Sequence, residues 1–276
     1  MKVAFVTTLS IVSSYWKQRS GIDDMYGCVL KMHILNVKRF HPDSDFYILV
    51  NDRDQTDATL YSVAAQTNST IRVSNWDRKW LILQSSQVIE CCSQSWQPLF
   101  FAPQMLKIEA LNIFGYDYVV YSDMDVFIKQ KLTIDFDVKD GTIIAGGDKN
   151  KPLHGGVIVI KPDKESFNRT KTALQSGFST QHGWHTLPCK NNHPAEWKWF
   201  AAGADEGIFY ASFACRGKFR HASYGDFQSM LPHDHFYGRG KPWEIEAPKQ
   251  KRTKWCNTFH NFVTKHSLMC ETKICQ

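Results

Sequence analysis

The sequence predicts an α/β fold, a mixed but mostly parallel sheet flanked by helices, and three observations carry that expectation. Strand-like runs of β-branched and aromatic residues alternate with helical apolar periodicity between residues 2 and 73. The strongest run, Tyr118-Val-Val-Tyr-Ser-Asp-Met-Asp-Val-Phe-Ile128, is apolar at consecutive positions, as in a strand buried on both faces. Two carboxylates, Asp123 and Asp125, interrupt it where such a strand would end, and open α/β sheets bind ligands outside the carboxyl ends of their strands. Acidic groups held that close repel, so the pair calls for a raised pKa or a bound cation.

The elements follow in order. Residues 2–8 read as a first strand ending in Thr7-Thr8-Leu9-Ser10, and residues 11–25 as a loop. Residues 26–40 carry Val29, Leu30, Ile34, Leu35 and Val37 on one helical face, and the helix stops at His41-Pro42. Residues 46–50 form a second strand, 56–66 a helix and 70–73 a short third strand, which completes a Rossmann-like half. Residues 76–103 are irregular. Residues 104–114 form a helix against the sheet, and Gly115-Tyr-Asp turns the chain into the acidic strand. Residues 142–145 and 156–160 are further strands, 163–176 and 204–214 helices, and 177–200 an aromatic loop that lines a binding site or buries its own rings. Beyond it the periodicity is weak, and the basic cluster Lys249, Lys251, Arg252 and Lys254 reads as a solvated face. With no repeat and no linker, the expectation is one domain over residues 1–276, its halves meeting near residue 128.

Composition narrows the function. A net charge of +6 over 276 residues suits an anionic ligand such as a nucleotide diphosphate and is too small and dispersed for nucleic acid. No signal segment and no apolar run of about 18 residues is present, which predicts a soluble, cytoplasmic chain without a membrane span. Eight cysteines without a Cys-x-x-Cys pair argue against a zinc ribbon. They are read as free thiols, with a bridge from Cys256 or Cys270 to Cys275 as the alternative. In a cytoplasmic chain the sequons at Asn68 and Asn168 carry no meaning.

Asp-x-Asp occurs four times: Asp43-Ser-Asp45 suits a turn and Asp135-Phe-Asp137 a polar stretch, while Asp52-Arg-Asp54, also at a strand end, is the competitor. Asp123 and Asp125 differ because apolar runs flank them, and burying that segment is costly without a cation or partner. A partner segment lies far along the chain. His233-Asp-His235-Phe-Tyr-Gly-Arg-Gly-Lys-Pro-Trp243 combines an imidazole ligand, flexible glycines and the point charge of Lys241. Oxygen ligands with one imidazole suit Mn²⁺ better than Ca²⁺.

On these residues the chain resembles the glycogenin-like glycosyltransferases of family 8. The match is His235-x-x-Gly238-x-x-Lys241-Pro-Trp243 in the late loop and Asp123-x-Asp125 in the strand. Thr7-Thr8-Leu9, Lys107, the Asp148 loop, Gly155-Gly-Val and Asp205-Glu206 follow in the family's order, over roughly residues 1–245. The resemblance implies a GT-A fold and a retaining transfer from a UDP-sugar to a glycan or glycoconjugate acceptor. It implies Mn²⁺, or Mg²⁺, on Asp123, Asp125 and His235. Thr7, Thr8, Leu9, Tyr26, Lys107, Ser122, Asp123, Met124, Asp148, His154, Gly155, Gly238 and Lys241 would contact the donor, and Asp205 and Glu206 would be catalytic. Two positions depart from the family: His154 replaces its Asn and Glu206 its Gln. A carboxylate at 206 opens the question of a nucleophile, although front-face attack is the favoured chemistry. The competing readings are a pyrophosphorylase-like nucleotidyltransferase, whose Gly-rich basic loop is absent after residue 7, and an inactive carbohydrate-binding protein. Oligomeric state is open, a homodimer included.

Overall fold

The computed structural model describes residues 1–9, 22–50, 58–74, 104–134, 141–147, 152–179, 181, 183–184, 197, 202–214, 219–222, 230–236 and 249–265. In chain order the elements are β1 (Val3–Thr8), α1 (Ile22–Phe40), β2 (Asp45–Val50), α2 (Ala58–Gln66) and β3 (Thr70–Val73), then a 3-10 helix (Met105–Asn112), β4 (Tyr118–Ser122) and β5 (Val126–Ile128). They continue with β6 (Ile143–Gly146), β7 (Val157–Ile160), α3 (Lys164–Ser176), β8 (Phe178–Ser179), β9 (Gly183–Trp184), α4 (Asp205–Ala214), β10 (Phe219–Ala222), β11 (His233–His235) and α5 (Lys249–Lys265).

Seven strands form the central sheet in the order β10-β6-β7-β4-β1-β2-β3. Only β7 runs against its neighbours, pairing antiparallel with β4 and β6. The mixed, mostly parallel sheet is as the sequence predicts. Side chains alternate across it. Ala4, Val6, Val119, Tyr121, Ile158 and Ile160 enter one apolar cluster with the 3-10 helix, α3 and α4. Phe5, Val120, Val157 and Val159 enter a second with α1 and α2. Burial on both faces explains why β4 reads as an unbroken apolar run.

Three expectations are corrected. Residues 104–114 wind as a 3-10 helix over Met105–Asn112, with seven of its eight residues buried, polar Lys107 and Glu109 among them. The carboxyl-terminal stretch is not featureless: α5 is a 17-residue helix. Its buried Trp255, Phe259 and Phe262, at i, i+4 and i+7, pack on Val29 and Met32 of α1 and on Phe236. Asn257, Thr258, His260 and Asn261 between them dilute the signal in the sequence. Cys28 in α1 and Cys256 in α5 are each disulfide-bonded rather than free thiols. Within the aromatic loop, Trp184 and Trp197 are core residues, and the Trp184 indole N–H donates to the Ala202 carbonyl at 3.1 Å. Among the described residues no helix is long and apolar enough to cross a membrane.

Candidate metal and donor site

The sheet brings three chain segments to one edge. β1 and β4 are parallel in register, Val6 opposite Tyr121, so Thr8 and Asp123 emerge side by side. Because β7 runs the other way, with Val157 opposite Ser122, the turn before it, Gly155-Gly156, reaches the same edge. A tight turn follows β4: the Asp123 N–H donates to the Gly156 carbonyl at 2.8 Å, and the Val126 N–H to the Asp123 carbonyl at 3.0 Å. The chain then continues into β5, which pairs antiparallel with β11, His235 opposite Val126. Asp123, Asp125 and His235 thereby converge, one ligand atom from each lying within 4.8 Å of the others. His235 Nε2 is 3.4 Å from Asp125 Oδ1. Two carboxylate oxygens and an imidazole nitrogen at this spacing fit a divalent transition metal such as Mn²⁺.

The two glycines are required by close approach. A Cβ on Gly156 would fall 2.0 Å from Cε1 of His235, and one on Gly155 would fall 2.7 Å from Oδ2 of Asp205. The turn is thus a thin partition, with the metal-site imidazole on one side and Asp205-Glu206 on the other. Sequence reading singled out Gly155 for the donor but passed over Gly156. Its signal was a second glycine where a strand should begin.

Lys107 is buried, and its ammonium lies 2.9 Å from Asp205 Oδ2, 3.2 Å from Asp123 Oδ1 and 3.0 Å from the Gly155 carbonyl. Its three N–H groups meet three acceptors. Burial alone would lower its pKa, but Asp123, Asp205 and Tyr121 outweigh that and hold it well above the ordinary lysine value. The Tyr121 hydroxyl donates to Asp123 Oδ1 at 2.5 Å, which leaves its oxygen to accept from the Thr8 hydroxyl at 3.0 Å. Burial, then the Asp123 charge, push the Tyr121 phenol well above its usual pKa, so it remains a donor. Glu206, in the first turn of α4, accepts from the Gly155 N–H at 2.8 Å through Oε1.

The remaining sequence-derived residues are placed as follows. Thr7 is fully buried and Leu9 buried, with Thr8 half-buried beside Tyr121. Tyr26 is half-buried against the α1–α5 cluster, and Met124 packs between that cluster and the one beneath α1. Ser122 is buried, its hydroxyl 3.0 Å from His33 Nε2. His154 is half-buried, its N–H donating to the Gly146 carbonyl. Asp148, Gly238 and Lys241, with the competing pairs Asp52/Asp54 and Asp135/Asp137, lie outside the described residues. Asp43 and Asp45 are exposed and far from these ligands, and Asp45 accepts from the Tyr116 hydroxyl.

Asp234, between the two histidines, pairs with Lys254 of α5 at 2.9 Å and Lys129 at 3.0 Å. Burial would raise its pKa, but the two lysines hold its carboxyl below the ordinary value. Part of the basic cluster thus serves to brace the strand that carries His235.

No protein-family model and no curated protein matches the sequence. Solved structures do. The galactosyltransferase LgtC, in complex with donor and acceptor sugar analogs, is similar with a TM-score of 0.57 at 16% identity, covering 98% of both chains. An active-site mutant of LgtC gives 0.55 at 16% identity, also over 98% of both chains. The glycosyltransferase GlyE of Streptococcus pneumoniae TIGR4 gives 0.54 at 12% identity, covering 99% of this chain and 66% of GlyE. The architecture is the GT-A glycosyltransferase fold.

Proposed function

We propose that this chain is a metal-dependent, retaining glycosyltransferase of the family 8 type, which moves a sugar from a UDP-sugar to a hydroxyl of a glycan or glycoconjugate. The observation that carries the reading is the convergence of Asp123, Asp125 and His235 at the carboxyl edge of the sheet, with Lys107 buried behind Asp123. Those three residues would hold Mn²⁺, which when bound supplies Lewis-acid neutralisation of the donor diphosphate. The likeness to LgtC, a galactosyltransferase solved with donor and acceptor sugar analogs, supports the same assignment.

In this reading Lys107 acts through the carboxylates it bridges, because its three donors already face protein acceptors. It ties Asp123 to Asp205, so the catalytic pair and the metal site share one frame. Thr8 and Tyr121 fix the opposite side of Asp123. Lys241, with Gly238 shaping the loop, would neutralise the leaving phosphates, and Thr7, Leu9, Tyr26, Ser122, Met124, Asp148, His154 and Gly155 would complete the donor site. The sugar's anomeric carbon breaks its bond to the β-phosphate oxygen and bonds the acceptor oxygen on the same face, and the acceptor proton passes to the leaving phosphate. Disulfide-bonded Cys28 and Cys256 favour an oxidising compartment over the cytoplasm.

UDP release with Mn²⁺ across a panel of UDP-sugars tests the assignment. Asp125→Ala is expected to abolish metal-dependent release while the far-UV CD spectrum is unchanged; full activity in that variant would move the site elsewhere. Pyrophosphate-dependent exchange would instead identify a nucleotidyltransferase, and sugar binding without turnover a binding protein. Glu206→Gln preserves an acceptor for the Gly155 N–H and restores the amide of the family pattern. Front-face chemistry predicts turnover within about tenfold of wild type. A loss of several orders of magnitude would make Glu206 the nucleophile.

A further inference from the structure

β5 is three residues long, and among the described residues β11 is its one strand partner. In that antiparallel pair Phe127 faces Asp234, with flanking bonds from Lys129 N–H to the Pro232 carbonyl and from Phe236 N–H to the Asp125 carbonyl. The backbone groups of Val126 and Ile128 therefore point to the other edge. Side chains of α1 meet them there. The Asn36 carboxamide takes both groups of Ile128, accepting from its N–H at 2.7 Å and donating to its carbonyl at 2.9 Å. His33, one turn earlier, donates from Nδ1 to the Val126 carbonyl at 2.9 Å, and its Nε2 accepts from the Ser122 hydroxyl at 3.0 Å. Farther along, His41 Nε2 accepts from the Leu132 N–H at 3.0 Å. All three side chains are buried.

We propose that His33 and Asn36 are positioning residues: together they hydrogen-bond the edge of β5 opposite β11 and fix its backbone so that Asp125 meets His235. Their hydrogen bonds go to Ser122 and to the backbone of Val126 and Ile128. Their action is through the backbone: His33 grips residues 122 and 126 on either side of the acidic turn, and Asn36 sets the register of β5 with β11. Asparagine has a donor and an acceptor on one planar group, as a peptide unit does, and an aspartate there would lack the donor for Ile128. The inference rests on the metal reading for its functional consequence and on geometry alone for the positioning.

The test uses the full chain without sugar nucleotide. Mn²⁺ affinity is measured by calorimetry for wild type, Asn36→Ala, Asn36→Asp and His33→Ala, and the Asp125–His235 separation is read from crystal structures of wild type and Asn36→Ala. Leu174→Ala in α3, a core truncation on the other face of the sheet, controls for general destabilisation. The expected result is about 10- to 100-fold weaker Mn²⁺ binding in the α1 variants. Leu174→Ala should retain wild-type affinity, and in Asn36→Ala the carboxylate and imidazole should move apart from 3.4 Å. Variants that bind Mn²⁺ as wild type does, with that pair unmoved, overturn the proposal. Equal weakening in Leu174→Ala overturns it too, because the effect would then be one of stability. A wild-type chain that ignores Mn²⁺ while the pair still separates in Asn36→Ala would overturn the metal reading and leave the positioning intact.

Discussion

The two sides of the acidic turn are held by different physics. On the face of the 3-10 helix and α4, the restraint is ionic: Lys107 against Asp123 and Asp205, with Tyr121 donating to Asp123. On the face of α1, it is neutral: an amide and two imidazoles hydrogen-bonded to the backbone from residue 126 to residue 132. The charged side sets where the Asp123 carboxylate sits. The neutral side sets where the backbone runs, and it adds no charge to a region already holding two carboxylates. The turn accommodates buried Asp125 and half-buried Asp123 because one side supplies a compensating cation and the other supplies only geometry.

The largest expected effect tests the charged side. Lys107→Ala leaves Asp205 buried and Asp123 half-buried without their cation, and breaking the buried Lys107–Asp205 pair should cost about 3–5 kcal/mol in urea unfolding. A variant as stable as wild type would mean that the two carboxylates are neutralised by something other than Lys107.

The neutral side should reveal itself in acid. Burial lowers the pKa of His33 from 6.5 to about 4 despite the Val126 carbonyl and the nearby Asp125 and Asp123. Burial, with Lys131 nearby, lowers that of His41 to about 4. Both folded values lie below the unfolded one, so the stabilisation is complete above pH 6.5 and is lost as pH falls towards 4. Each ring adds a slope of up to about 1.4 kcal/mol per pH unit in that window. Urea midpoints measured from pH 7 to pH 4.5 should fall accordingly. A flat profile would mean that the rings are charged in the folded protein, and the neutral description would be wrong.

The smallest effect is at the rim. Lys254 is 60% exposed, and Asp234 keeps Lys129 when it is removed. Lys254→Ala should change stability by less than about 1 kcal/mol, and added salt should erase the difference. A larger, salt-insensitive loss would make the α5 brace part of the site's frame rather than its trim.

Much of this was legible beforehand, for identifiable reasons. β4 announced itself because a strand covered on both faces must be apolar at every position. Asp123 and Asp125 stood out because carboxylates inside such a run need compensation. Local pattern could not expose the compensating residues. Lys107 sits within a helix whose neighbours are apolar, and nothing in its surroundings says that it is buried between two carboxylates. Gly156 looked like the start of a strand until the approach of His235 explained the missing Cβ. His33 and Asn36 are polar residues of α1, yet both are buried because their side chains hydrogen-bond the backbone of β5. α5 was invisible because three aromatic residues spaced along a basic segment give little periodicity.

The sequence by itself determined the sheet, the order of its elements and the acidic turn as the place to look, because these follow from local burial and from charge that needs a partner. The tertiary structure decided which partners those are. Asp125 meets His235, 110 residues away, only because β5 pairs with β11 in one register. That register is in turn set by backbone hydrogen bonds, and no residue spacing encodes which side chains will complete them.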